Sequence, residues 1–392
     1  MSYRLSTSSW DDQERAAVIR VLDSGQITMG LEVQRFEEAL AHYLGARHAV
    51  ATNSGSSANL LAVASLFYRT ESAISPGDEV IVPAVGWSTT YSPLQQLGLT
   101  PVLVDVDAET LCIDCSAVAG AITNRTRAIM AVNLLGNVAD FGRLESLCSE
   151  RGIHLIEDNC EAMGATYRGR QAGSLGDIGT LSFYYSHHMT TGEGGAVITD
   201  DDELADIVRC LRAHGWTRDL SADSHLASKS VEPFYDLFRF VLPGYNVRPT
   251  EFVGATGLVQ LEKLDQMLDV RRSNASRFLK IVAQQDDLVT QQSTPGGTHS
   301  WFGFPLLIKK ESQVERQTLV RILAANGIEV RPIVAGNFAL SESLAWSKHE
   351  VAGSLPVANW VHQQGFFVGN CANDLSQELR HLRTALDAAS GY

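Results

Sequence analysis

A chain of 392 residues, 45% of them apolar and 19% charged, can bury a sizeable core and does not have the balance of a disordered polypeptide. Its formal net charge of −14 argues against a nucleic-acid partner, which calls for a basic surface, but leaves room for a phosphorylated small molecule held by a few local arginines. The first residues carry no signal-like apolar run, and no segment nears the ~18 consecutive apolar residues of a membrane helix, so a cytoplasmic chain with no membrane partner is expected.

In chain order, residues 9–25 read as a helix with Ser9 and Asp12 as a capping pair, and 31–44 as an amphipathic helix stopped at Gly45. Short apolar runs follow at wide spacing: HAVAT (48–52), EVIVPA (79–84), PVLVDV (101–106), AIMAVNLL (128–135) and HLIED (154–158). Helical stretches such as 58–67 and 143–151 lie between them. Strands alternating with helices predict an α/β fold, a mainly parallel sheet covered on both faces. Two further strands, 179–185 and 195–200, close this half. Residues 216–245 are irregular and polar, read as a connection or lid. A long helix from 250 toward 285, a strand at 301–308, a helix at 313–326, a strand at 329–333 and a helix at 375–389 make a smaller α/β domain. The division is 1–249 for the large domain and 250–392 for the small one.

Six cysteines stand at 112, 115, 148, 160, 210 and 371 without a second pair at a ligand spacing, so reduced, mostly buried thiols are expected and no metal. The chain has six lysines, and the first is Lys229. Whatever chemistry the first 228 residues perform, no lysine performs it.

Ligands of an open parallel sheet bind beyond the carboxyl ends of its strands, and three features fall there. The turn Ser54-Gly55-Ser56-Ser57 opens a helix, where backbone N–H groups and hydroxyls suit a phosphate monoester. Asp158 ends HLIED and is either a cap or ion-pair partner, or an acid bonded to the ring nitrogen of a vitamin B6 cofactor. Trp87 in PAVGWSTTY follows another strand, as core or as a cover for a flat ring.

A fourth segment, SFYYSHHMTTGEGGAVIT (182–199), binds these together. With it the chain resembles the sugar-nucleotide aminotransferase family of fold-type I B6 enzymes, the DegT/DnrJ/EryC1/StrS group. Members of that family carry a Schiff-base lysine just before Gly-Glu-Gly-Gly. This chain has His187-His188 there, which resembles the sugar-nucleotide 3-dehydratase branch. The likeness extends through STSSWDD, VNLLGN, EDNCEAMGAT, RAHGWTR, FVLPGYNVRP, HSWFGF, VRPIVAGNF and FFVGN, nearly end to end.

The resemblance implies an aspartate-aminotransferase-like fold and a cofactor, pyridoxamine or pyridoxal 5'-phosphate, that is held without a covalent bond. It implies a GDP-linked 4-keto-6-deoxymannose as substrate, L-glutamate as the amine source, loss of the C3 hydroxyl and release of ammonia. His188 is read as the general base in the lysine's place, and His187 as packing. Gly55, Ser56, Ser57 and Ser182 are expected at the phosphate, Asp158 at the ring nitrogen, Trp87 on the ring face and Glu161 at the 3' oxygen. Asn246 would reach the phosphate of a neighbouring subunit, implying a homodimer with shared sites. His214, Arg218, Glu329 and Arg331 are weaker candidates for gripping the sugar nucleotide or glutamate. A related branch holds an iron–sulphur cluster through cysteines after the region of 212–218; the absence of cysteine between Cys210 and Cys371 excludes an all-cysteine cluster of that kind. An aminotransferase with another proton carrier and a non-catalytic binding relative remain as alternatives.

Overall fold

The computed structural model describes residues 2–220, 224–227 and 232–389. Part of the expected lid at 216–245, Lys229 included, lies outside the described residues. Helices α1 (Asp12–Ser24) and α2 (Leu31–Leu44) open the chain. The cap of α1 is Asp11, not Ser9: its side chain accepts from the Gln13 N–H while Glu14 returns a bond to the Asp11 N–H. A carboxylate one residue before the helix meets the free N–H groups better than a serine three residues before it. Ser9 instead donates to Gln260 at 2.8 Å.

The large sheet is built from β1 (His48–Thr52), β2 (Glu79–Pro83), β3 (Thr100–Val104), β4 (Thr126–Val132), β5 (His154–Asp158), β6 (Ile178–Ser182) and β7 (Gly195–Thr199). Helices α3 (Gly55–Ser65), α4 (Ser88–Gln96), α5 (Cys115–Ala121), α6 (Phe141–Arg151) and α7 (Asp202–Arg212) cover it. The strand order is β1-β7-β6-β5-β4-β2-β3, parallel from β6 to β3, with β7 antiparallel to both its neighbours. Uninterrupted apolar strands such as Val80-Ile81-Val82 are buried on both faces, as a helix-covered parallel sheet requires. Two strands end earlier than their apolar runs. β4 gives way at Asn133 to a tight turn with Leu135 at φ 52°, and β6 stops at Ser182, where the chain leaves the sheet toward the two histidines.

One helix, α8 (Glu251–Val282), runs 32 residues and joins the two halves. Near its start Glu251 caps α2, accepting from the N–H groups of Gly30, Glu32 and Val33. Near its end Phe278 stacks on Phe304 in the second core, with centroids 4.4 Å apart. The small sheet has the order β8-β9-β12-β10, from β8 (Leu288–Val289), β9 (Gly303–Ile308), β10 (Val330–Arg331) and β12 (Gly365–Gly369). Between the last two, β11 (Glu350–Val351) crosses back to pair with β3 on the edge of the large sheet. Helices α9 (Arg316–Ala325), α10 (Pro356–Gln364) and α11 (Ser376–Ala389) complete this half. The amino terminus also crosses over: Tyr3 is fully buried in the small-domain core and donates to the Gly369 carbonyl at 2.6 Å. No helix among the described residues is long and apolar enough to cross a membrane.

Candidate active site

A cavity of about 620 Å³ opens where β5, β6 and the starts of α3 and α4 meet the small domain. Gly55, Ser56, Trp87, Asp158, Glu161 and Ser182 line it, as does Arg331 from β10. Six of the eight residues expected to hold the cofactor are thus in one place. Ser57 is turned away; it bonds Asn53 and Ser54 and so stiffens the turn instead of facing the cavity. No lysine lines the cavity among the described residues.

The floor is set by close backbone approach. A Cβ on Gly55 would sit 2.5 Å from the Ser182 Cβ and 3.0 Å from the Cys160 Sγ, so only glycine lets α3 start against β6. The helix therefore points its first N–H groups, with Ser56 and Ser182, at one end of the cavity, a cradle for a phosphate dianion. At the other end Asp158 is 5% exposed and held by Asn59 Nδ2 (2.9 Å), Thr90 Oγ1 (2.7 Å) and the Cys160 N–H (3.2 Å). Donors of this kind hold the carboxylate in place to meet a protonated pyridine. Trp87, at the cap position of α4, is 58% exposed and offers its ring to the same space. A flat, phosphorylated, nitrogen-bearing ring fits these residues. Asn59, Thr89 and Thr90 escaped the sequence reading; a lone asparagine on the otherwise apolar face of α3 was the available signal.

Glu161 accepts from the Leu135 N–H at 3.0 Å, a bond aimed by the left-handed backbone of Leu135. Burial pushes its carboxyl up to about 7, the Leu135 bond opposes this, and the Asp158 charge adds to it.

The two histidines divide differently from the sequence reading. His187 lines the cavity, with its ring edge-on to Tyr184 and to Phe302. His188 does not line it: the side chain is 1% exposed and its Nε2 lies 3.2 Å from the Ser300 carbonyl. A carbonyl only accepts, so that nitrogen carries the proton and its ring is an anchor. The turn from Ser182 to Met189 places successive side chains in different directions, and His188 falls on the protein side. Burial first, then the Arg271 charge, keeps both imidazoles neutral, with His187 pushed down to about 3 and His188 well below its ordinary range.

Four expected residues lie elsewhere. Glu329 accepts from the Leu5 N–H and fastens the amino-terminal strap, whose Leu5 and Ser6 form part of the cavity wall. His214 and Asn246 are exposed and absent from the cavity lining, and Asn246 accepts from Arg248. Arg218 lies over the Trp216 ring and lines a separate polar hollow with Arg248.

The chain belongs to the DegT/DnrJ/EryC1/StrS aminotransferase family, whose pattern matches residues 8–379. Among its relatives, GDP-4-keto-6-deoxy-D-mannose 3-dehydratase of Yersinia pseudotuberculosis is 47% identical over 384 residues, 97% of either chain. The enzyme of that name from Escherichia coli O55:H7 is 46% identical over 388 residues, 98% of this chain and 100% of its own. A solved structure of the E. coli dehydratase with bound hydrated pyridoxal phosphate superposes with a TM-score of 0.96, covering 98% of this chain and 99% of that one. Another, at TM-score 0.94 and 46% identity over 97% of this chain and 100% of that one, carries lysine for a histidine and asparagine for the serine just before it.

Proposed function

We propose that this chain removes the C3 hydroxyl of GDP-4-keto-6-deoxy-D-mannose as a B6-dependent dehydratase. Pyridoxamine or pyridoxal phosphate is held without a covalent bond, and glutamate supplies the amine. The observation that carries this reading is the cavity wall: a phosphate cradle, a buried carboxylate and an exposed indole surround an imidazole, His187, and no lysine is among the described residues that line it. An imidazole moves protons but forms no stable imine, so the residue that would tether the cofactor is missing while the base is kept. Transamination has no such observation in its favour.

Bound there, the cofactor supplies the amine that condenses with the C4 ketone and a ring that accepts electrons. The chain's residues do the rest. Asp158 would keep the ring nitrogen protonated, Ser56, Ser182 and the start of α3 would bind the phosphate, and Trp87 would cover one face. Protonated Glu161 can donate to the 3' oxygen, which an ionised carboxylate cannot. His187 replaces His188 as the proposed acid–base group. Its Nδ1 is buried without a protein partner among the described residues, and Nε2 would be the nitrogen that takes up a proton from the reacting carbon and gives it to the departing hydroxyl. The serine–histidine pair of this turn is Ser186-His187, and a serine followed by a histidine is what is altered in the solved dehydratase variant, which supports this choice.

Arg331 is positioned to grip the sugar nucleotide or glutamate. His214, Arg218 and Asn246 would serve the cavity of a second copy, in a homodimer with shared sites. A cytoplasmic setting, where glutamate and GDP sugars are at hand, suits these needs. Incubation with pyridoxal phosphate, glutamate and the GDP-linked ketosugar, followed by mass analysis, tests the reading: a product lighter by one oxygen is expected, and one that gained an amino group overturns it. Borohydride is expected to leave the protein unlabelled.

A further inference from the structure

Behind the two histidines lies a cation with an unusual set of partners. Arg271, on α8, is 3% exposed. Its guanidinium donates to the carbonyls of Asn370 (2.9 Å), Phe302 (3.2 Å), Trp301 (3.3 Å) and His187 (3.4 Å). No ion pair joins it to a carboxylate among the described residues, its Nε has no partner, and the neighbouring Cys371 is the group that favours its charge. A buried charge without a counter-ion is costly, and an apolar side chain of similar length would fill the space at less expense. The carbonyls it gathers come from three places: the histidine turn, the segment leading into β9, and the residue after β12.

We propose that Arg271 is a positioning residue for the dehydration: by tying the carbonyl of His187 to the small domain it fixes the imidazole at the cavity wall. This rests on the reading of His187 as the acid–base group. His188 is the second fastening, through Ser300, and Phe302 packs against both imidazoles, 5.1 Å from His187 and 5.8 Å from His188. Asn370 braces the assembly, donating to the Trp301 and Arg271 carbonyls. The clamp therefore spans both domains.

The same cation acts electrostatically. Of the groups packed against the pair, Arg271 from α8 is the permanent charge, His299 is itself held neutral by burial, and Tyr184 meets His187 edge-on. Glu161 and Arg331 share the cavity. The Arg271 charge lowers the proton affinity of both histidines, which keeps the base free to accept a proton.

Arg271→Met and Arg271→Lys test this. Arg271→Met is expected to lower kcat by roughly 100-fold, the scale of a misplaced catalytic group, with KM for the GDP sugar within about 3-fold. Its acid limb is expected to move to higher pH, because a base relieved of a nearby cation protonates more readily. Arg271→Lys keeps the charge but not the planar fork, so the limb should return while kcat recovers only in part. Equal losses in kcat and KM with an unmoved limb would mean a merely structural arginine and overturn the proposal. Should the variants fail to fold, nitrogen-detected imidazole spectra of the unaltered protein between about pH 5 and 9 decide: neutral His187 and His188 are expected throughout, with the His188 proton on Nε2. Titration of His187 at or above about 6.5 overturns it. A protein that passes these spectra but leaves the GDP sugar unchanged would refute the proposed substrate alone.

Discussion

Two parts of the molecule carry polar side chains free of any evident duty in folding, and they are built in opposite ways. Around the cavity each group is held from several sides: Asp158 by donors from α3, α4 and its own strand end, Glu161 by a strained turn. From Arg212 to Arg248 the candidates His214, Arg218 and Asn246 are exposed, and the side chains of Arg218 and Asn246 meet residues two apart in sequence. A site that must act within one chain is organised before its ligand arrives. Side chains that face outward gain a chemical role only from what is brought against them, and we propose that a second copy brings its cavity.

The contrast breaks most readily inside the cavity. His187→Asn is expected to lower kcat by about 1,000-fold, within the range for loss of a general acid–base group, while the bound cofactor's absorbance persists. His188→Asn should cost about 10-fold, as an anchor does, and stopped-flow turnover of both variants measures the gap. The reverse order of effects would return the base to His188. The outward segment is tested by mixing: Asn246→Asp and His187→Asn, each inactive alone, should recover about a quarter of the unaltered activity when refolded together, because half of the dimers then own one intact site. An active Asn246→Asp protein would place Asn246 outside catalysis, and no recovery on mixing would place it at its own chain's cavity.

Smaller effects sharpen the picture. Glu161, pushed up to about 7 chiefly by burial, loses its proton across the neutral range and with it the ability to donate. Glu161→Gln donates at every pH, so the absorbance of the bound cofactor should stop changing between about pH 6 and 8, with rates altered only a few-fold. The smallest effect concerns stability. His299 is held neutral in the fold, down to about 3, while the unfolded chain protonates near 6.5. Above that pH neither state gains a proton; below it the unfolded chain does, so stability falls as the pH drops from 6.5 toward 5. Glu157, raised to about 7 by burial, opposes this, since the fold keeps a proton that the unfolded chain releases above ~4.5. His299→Gln should reduce the slope by about 1.4 kcal/mol per pH unit, read from urea denaturation at several pH values.

How far the sequence reached follows from the physics of each element. That Asp158, Ser56, Ser182 and Trp87 come together was legible because a parallel sheet sends its strand ends to one place, and apolar runs mark where strands end. The choice between His187 and His188 was not, because neighbouring residues in an irregular turn differ in direction and no periodicity says which faces the ligand. The expected boundary at 249/250 has contacts crossing it both ways, through Tyr3, β11 and the first half of α8, since contiguous sequence does not oblige contiguous packing. Glu329 was a weaker candidate for gripping the sugar nucleotide or glutamate, and its carboxylate accepts from the Leu5 N–H, a long-range contact that no spacing in the sequence marks.

A cavity wall without a lysine among the described residues has a consequence for how such an enzyme lives in a cell. A relative with a lysine holds its B6 molecule through an imine as well as through contacts, whereas here contacts alone would hold it. The rate of deoxygenation should therefore saturate with free pyridoxal phosphate, decline on dialysis and return on its addition. Its product flow becomes a reading of vitamin supply, with occupancy set by mass action rather than by a bond.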